Sequence, residues 1–192
     1  KYSSFYALDQ YKTLSDVLKK NYILNRSSFK NTAVVKSYNK DTLSSEFKTI
    51  NLYRILKGEE DFLLNDLDEV FIFDWEDLDF LNSKQVILSL VGNKNIDNLQ
   101  GQSINNNCAS IDHLSKKMKA LGDSGRKRFY SFTNALLEFD LNFYINEVGN
   151  DKNSLENKNC PTVFEKNPEL LFFVIDNSII LRGNIDKPGV YL

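Results

Sequence analysis

Histidine, methionine and tryptophan occur once each in the 192 residues, cysteine twice and proline three times. Each scarcity removes a class of function. A zinc centre needs about four nitrogen, sulfur or oxygen ligands at close spacing, and His113 with Cys108 and Cys160 makes no recognisable set. Two cysteines are too few for a disulfide-built scaffold. They can form one bridge in an oxidising compartment, worth roughly 4 kcal/mol in the chain-entropy model, or stay as two reduced thiols, and their spacing does not choose. No run of about 18 apolar residues is present, so no stretch reads as a membrane-spanning helix. Charge of one sign is also missing: 24 Lys and Arg against 26 Asp and Glu leave a net charge of -2. A nucleic-acid binder needs clustered cations to displace counterions from phosphates, so nucleic acid is not an expected partner. The short clusters Lys116-Lys117-Met118-Lys119 and Arg126-Lys127-Arg128 read as solvated helix faces. Glycine-rich phosphate loops are absent, and Gly122-Asp123-Ser124-Gly125 reads as a helix break. The chain opens on Lys1 with no signal peptide, which reads as a processed or excised segment.

What is present suits a folded chain of one large or two small domains: 42% hydrophobic and 12% aromatic residues. Thr13, with Asp16 three positions on, caps an expected helix whose Leu14, Val17 and Leu18 form an apolar stripe, ending near Asn21. Thr32 to Tyr38 is β-branched and strand-like. Phe47 to Tyr53 starts extended and turns into the short apolar stretch Leu52–Leu56, stopped by Gly58. The polar turn Asn65-Asp66-Leu67-Asp68 leads into a strand over Glu69–Phe73. Val86–Val91 is expected to be another strand, followed by a polar loop to Asn107. Ile111, Leu114, Met118 and Leu121 share a helical face, and a second helix is expected over about Arg126–Val148, carrying Phe129, Phe132, Leu136, Phe139 and Phe143. Gly149–Asn159 reads as a loop. Pro161 and Pro168 bracket a short element, Ile179–Leu181 begins a strand, and Pro188-Gly189 reads as a turn or an edge-strand break. A boundary near residue 80 separates units 1–80 and 81–192.

The terminal stretch Ile179–Leu192 (IILRGNIDKPGVYL) resembles the opening hairpin of the soluble-ligand-binding β-grasp (SLBB) domain of bacterial polysaccharide-export proteins, in which apolar positions alternate up to a glycine and a Pro-Gly-x-Tyr bend follows. Gly183 permits close backbone approach, Pro188 sets φ for the bend, Gly189 accepts a positive φ, and Tyr191 covers a small core. The first segment resembles the rest of the same module, taken up after its own Pro-Gly bend. Tyr6-Ala7-Leu8 leaves the bend, Thr13–Leu18 is the helix, and Ala33-Val34-Val35 the middle strand. Ile50-Asn51-Leu52 through Gly58 is the short connection, and Leu64 to Phe73, with Asp68 as its acidic lead-in, the closing strand. In the later half, Cys160-Pro161-Thr162-Val163-Phe164, Pro168-Glu169-Leu170-Leu171, Arg182-Gly183 and Pro188-Gly189 stand in the order seen in larger members of that family. Leu88-Ser89-Leu90-Val91-Gly92-Asn93 lacks the Pro-Gly pair, so a second module is degenerate.

The resemblance implies an α+β fold of β-grasp-like SLBB modules, with a helical insertion at about residues 108–150. It implies a periplasmic, outer-membrane-associated, non-catalytic role in polysaccharide export, with no cofactor. Its partners would be polysaccharide and further copies of the chain in a homo-oligomeric channel. The strands expected at Val86–Val91 and Ile179–Leu181 offer edges for subunit pairing. Candidate ligand-contacting residues are Trp75, placed after a strand among acidic residues, with Arg182 and Tyr191; Gly183, Pro188, Gly189 and Asp68 carry the structural motif. Two other readings stand beside it. One is a stand-alone carbohydrate or small-ligand receptor. The other is a glycan hydrolase using Glu59, Glu60 and Asp61 or Asp74, Glu76 and Asp77, groups that read first as solvated loop edges. Cys108 and His113 lack a third orienting group for nucleophilic catalysis.

Overall fold

A computed structural model of the chain describes residues 4–21, 23–91, 108–122, 125, 127, 129, 159–181 and 189–192. It has a mixed α+β architecture with one three-stranded antiparallel sheet, a separate two-strand pair and several helices. Two compact units divide the chain, Lys1–Trp75 and Glu76–Leu192.

In the first unit, helix α1 (Leu14–Asn21) buries Leu14, Val17 and Leu18 and carries Lys19 and Lys20 in its last turn, where cations complement the helix dipole. Its start is capped as the Thr13/Asp16 spacing suggests, the Asp16 amide donating to Thr13 Oγ1 at 3.4 Å. Strands β1 (Thr32–Asn39) and β2 (Ser44–Asn51) form an antiparallel hairpin, with Thr32 opposite Asn51 and Asn39 opposite Ser44. Asn39 Oδ1 holds the connecting loop by accepting from the Asp41 and Thr42 amides at 2.9 and 3.2 Å. Strand β3 (Glu69–Phe71) pairs antiparallel with β1, giving the order β2-β1-β3. Strand β1 holds Ala33, Val34 and Val35 fully buried, a short apolar run rather than an alternation, so both faces of the sheet are covered at these residues.

Between β2 and β3 lies helix α2 (Leu52–Lys57). Asn51 caps it, accepting from the Arg54 amide at 3.0 Å, and Gly58 ends it in the left-handed region at φ 77°. The space around a Cβ at Gly58 is empty, so the backbone angle, not crowding, is what asks for glycine. Leu14, Leu18, Ala33, Leu52 and Ile55 form the core, edged by Leu24, Ile50, Phe62, Leu64, Val70 and Ile72. Each of the leucines and Ile55 contributes about 1.5–3 kcal/mol on full burial.

The second unit is mainly helical. Helix α3 (Trp75–Asp79) leads into a 3-10 turn at Phe80–Asn82 and then helix α4 (Lys84–Val91). Here the sequence expectation fails: Val86–Val91 is helix, not strand. A short run apolar on all sides satisfies either geometry once it is fully enclosed. Ser83 tips the balance, its carbonyl accepting from the Ile87 amide at 3.1 Å and its hydroxyl from the Val86 amide at 3.5 Å. Within the helix, Ser89 Oγ donates to the Gln85 carbonyl at 2.7 Å.

Helix α5 (Ala109–Ala120) packs on α4 and buries Ile111, Leu114 and Met118, the face read from spacing; Gly122 follows at φ 62°. Helices α6 (Thr162–Lys166) and α7 (Pro168–Asp176) start at the two prolines, Pro161 at the N-cap of one and Pro168 in the first turn of the other. Phe164, fully buried, stacks on Phe80 with centroids 6.0 Å apart, and Ser110 Oγ donates to its carbonyl. Phe129 is buried against Phe172. Strand β4 (Ile179–Leu181) pairs antiparallel with β5 (Gly189–Tyr191). The strand at Glu69 stops two residues earlier than expected, at Phe71. The loops expected at 93–107 and 149–158 and most of the helix expected over 126–148 lie outside the described residues.

Candidate functional site

Trp75 stands at the end of the first unit with 57% of its surface exposed. Its position follows from a second stretch of pairing beyond β3. The Phe29 amide donates to the Phe73 carbonyl at 2.7 Å and the Trp75 amide to the Ser27 carbonyl at 3.3 Å, with Ser28 opposite Asp74. That pairing brings buried Phe29 under the indole edge-on, at 5.1 Å and 80°. One aromatic therefore anchors the other while much of the indole surface stays in water. This is an arrangement suited to stacking on an apolar face of a ligand such as a sugar ring.

The other candidates are distributed differently. Tyr191 and Gly189 lie on β5, Tyr191 opposite Ile179 and Gly189 opposite Leu181. Arg182, Gly183 and Pro188 lie outside the described residues. Asp68 is a turn residue: Oδ2 accepts from the Asn65 amide at 2.8 Å, the Asp68 amide donates to the Asn65 carbonyl at 3.2 Å, and Leu67 between them takes φ 66°. Cys108 and Cys160 are joined in a disulfide with Cα atoms 5.5 Å apart, tying the start of α5 to the start of α6 across 52 positions of sequence.

Of the two acidic groups weighed for glycan hydrolysis, Glu59, Glu60 and Asp61 are engaged in structural contacts. Arg54 pairs with both Glu59 and Glu60, on the same short helix end. Asp61 serves as a cap from outside helix α1. Its Oδ1 accepts from the Ser15 amide at 3.1 Å and the Phe62 amide at 2.8 Å, and its Oδ2 from Ser15 Oγ at 2.6 Å. Partial burial pushes its pKa up, but hydrogen bonds from the Ser15 side chain and amide, the Thr13 side chain and the Phe62 amide outweigh that and hold the carboxyl below its ordinary value. A general acid needs the opposite shift.

Sequence reasoning missed Asp61 as a cap, because its partner Ser15 is 46 positions away. It also missed the setting of His113, whose Nε2 is buried without a hydrogen-bond partner among the described residues. Burial lowers its pKa, Lys117 lowers it further, Glu169 opposes and Lys116 adds a smaller push downward. The charged imidazolium is therefore disfavoured at this position. Among the described residues no cluster of three or more His, Cys, Asp or Glu can hold a metal ion, and no helix is long and apolar enough to cross a membrane.

Comparison with known protein families, with curated proteins and with solved structures finds no match.

Proposed function

We propose that the chain is a non-catalytic binding and assembly module of a polysaccharide-export protein, acting on the periplasmic side of a bacterial outer membrane. The observation that carries this reading is the element order of the first unit. A helix, an antiparallel hairpin, a short glycine-stopped helix and a closing strand beside the first strand of that hairpin stand in the order α1-β1-β2-α2-β3. A β-grasp module without its opening hairpin would present that order. The β4–β5 pair, at the stretch that resembles such an opening hairpin, supports the same reading. A disulfide fits an oxidising compartment, and the engagement of Glu59, Glu60 and Asp61 in helix-end contacts favours contact with a glycan over its cleavage.

In this role Trp75 supplies a stacking surface for a sugar ring. Trp75 is the sole tryptophan, so its emission reports directly on that surface. Titration with purified bacterial exopolysaccharides is expected to change the emission saturably, with no fall in polysaccharide size on gel filtration. Calorimetry with Trp75→Ala is expected to show affinity about tenfold weaker, the value of one lost aromatic contact. Unchanged emission and heat across acidic and neutral polysaccharides would remove the reading. Depolymerisation lost in Glu59→Gln or Glu60→Gln would replace it with a hydrolase.

A further inference from the structure

We infer that strand β2 is a self-pairing edge, through which two copies of this chain associate antiparallel about a twofold axis. The inference does not rest on the export reading. In the order β2-β1-β3, β2 lies at one side of the sheet, and no strand among the described residues follows it outward. It is eight residues long, Ser44–Asn51, without proline or glycine, and Ser44, Ser45, Glu46, Lys48 and Thr49 are exposed. Edges are ordinarily kept short, bulged, broken by proline or guarded by charge, because their unpaired amides and carbonyls template another strand. Here the guard is one acid and one base, which repels some partners and attracts others.

The charges on this edge say which strand. Glu46 and Lys48 are two positions apart, so they project from one face of the sheet. In an antiparallel pair centred on Phe47, Glu46 of each copy stands opposite Lys48 of the other. Ser45 then meets Thr49, Ser44 meets Ile50, and the two Phe47 residues face each other. Twofold symmetry makes the favourable charge pair twice. Parallel in-register pairing would set Glu46 against Glu46 and Lys48 against Lys48, a repulsive arrangement. Sliding the antiparallel pairing by one residue separates the charges. The same two side chains thus oppose other pairings and favour this one. Phe47 already rests on Phe71, with centroids 6.4 Å apart and Lys36 Nζ 5.7 Å from its ring, so its side chain is held on the opposite face from the charges. The two ends of the stretch are held in place: the loop ahead of Ser44 is tied down by Asn39, and Asn51, beyond the paired stretch, caps α2. The joined sheets would run β3-β1-β2 into the β2-β1-β3 of the second copy.

Charge exchange in the full chain tests this by sedimentation velocity over a concentration series. Wild type is expected to show a monomer–dimer equilibrium that weakens as salt is raised, since the pairs are exposed. Glu46→Lys and Lys48→Glu should each weaken the dimer by about tenfold or more, because symmetry turns two attractive pairs into two repulsive ones. An equimolar mixture of the two single variants, and the double variant Glu46→Lys/Lys48→Glu, should each regain wild-type association, since opposite charges then face each other again. Both sites are exposed, and circular dichroism checks that the variants fold. A strict monomer throughout the series overturns the inference. So does a dimer indifferent to either single exchange, or one that the mixture and the double variant fail to restore.

Discussion

The two units solve the same problem, burying apolar surface in a short chain, by different means. The first unit closes its core with backbone pairing and helix caps: three strands, two helices and contacts from Thr13, Asn51, Gly58 and Asp61 at the helix ends. The second relies on helix packing around Ile111, Leu114, Phe164, Leu170 and Leu171 and adds a covalent tie, Cys108–Cys160. The difference teaches where each unit is vulnerable. Backbone pairing and helix caps dominate in the first, and helix packing with a covalent closure in the second.

Removing the tie is expected to have the largest effect. Paired Cys108→Ser and Cys160→Ser changes free a loop with a sequence separation of 52 and should cost the second unit about 4 kcal/mol. Hydrogen exchange read peptide by peptide should show protection falling in 109–120 and 162–176 while 32–51 is unchanged. Equal loss in both would erase the contrast. Leu52→Ala is the matching strike on the first unit. Leu52 is fully buried in the core under the sheet, so about 3 kcal/mol should be lost, with exchange rising in 14–21 and 32–39.

Asp61→Ala sharpens the claim about caps. Loss of a cap on α1 should cost about 0.5–1 kcal/mol at neutral pH, measured by urea unfolding. Because the folded carboxyl sits below its ordinary pKa, its stabilisation is present above that value and fades as pH falls through the folded pKa. The gap between wild type and variant should therefore narrow in strong acid. His113 gives the smallest effect and belongs to the second unit. Its folded pKa is depressed, so the unfolded chain takes up the proton first. Stability should decline as pH falls below about 6.5, the ordinary histidine value. His113→Gln should flatten that slope between neutral and mildly acid pH in denaturant melts.

Much of the first unit was legible because its signals are local. Thr13 three residues before Asp16, the β-branched run at Thr32, and Gly58 after the short stretch Leu52–Leu56 each act within one turn or one strand, and each element lies where those residues put it. The prolines at 161 and 168 worked in the same way for α6 and α7. Val86–Val91 misled because periodicity carries no information when every face is buried, and the deciding group, Ser83, lies outside the apolar run. The candidate site was half legible. Exposure of Trp75 could be guessed from its acidic neighbours, but the Phe29 ring beneath it could not. That contact depends on residues 27–29 pairing with 73–75.

By itself the sequence determined the helix boundaries with polar caps, the hairpin strands of the first unit and the lack of a long apolar span. These depend on interactions between residues a few positions apart. Tertiary structure alone decided that Asp61 caps α1, that Cys108 meets Cys160 and that β2 is left at the rim of its sheet among the described residues. Each of these is set by contacts between distant segments, whose free energy depends on which surfaces the whole chain can bury together.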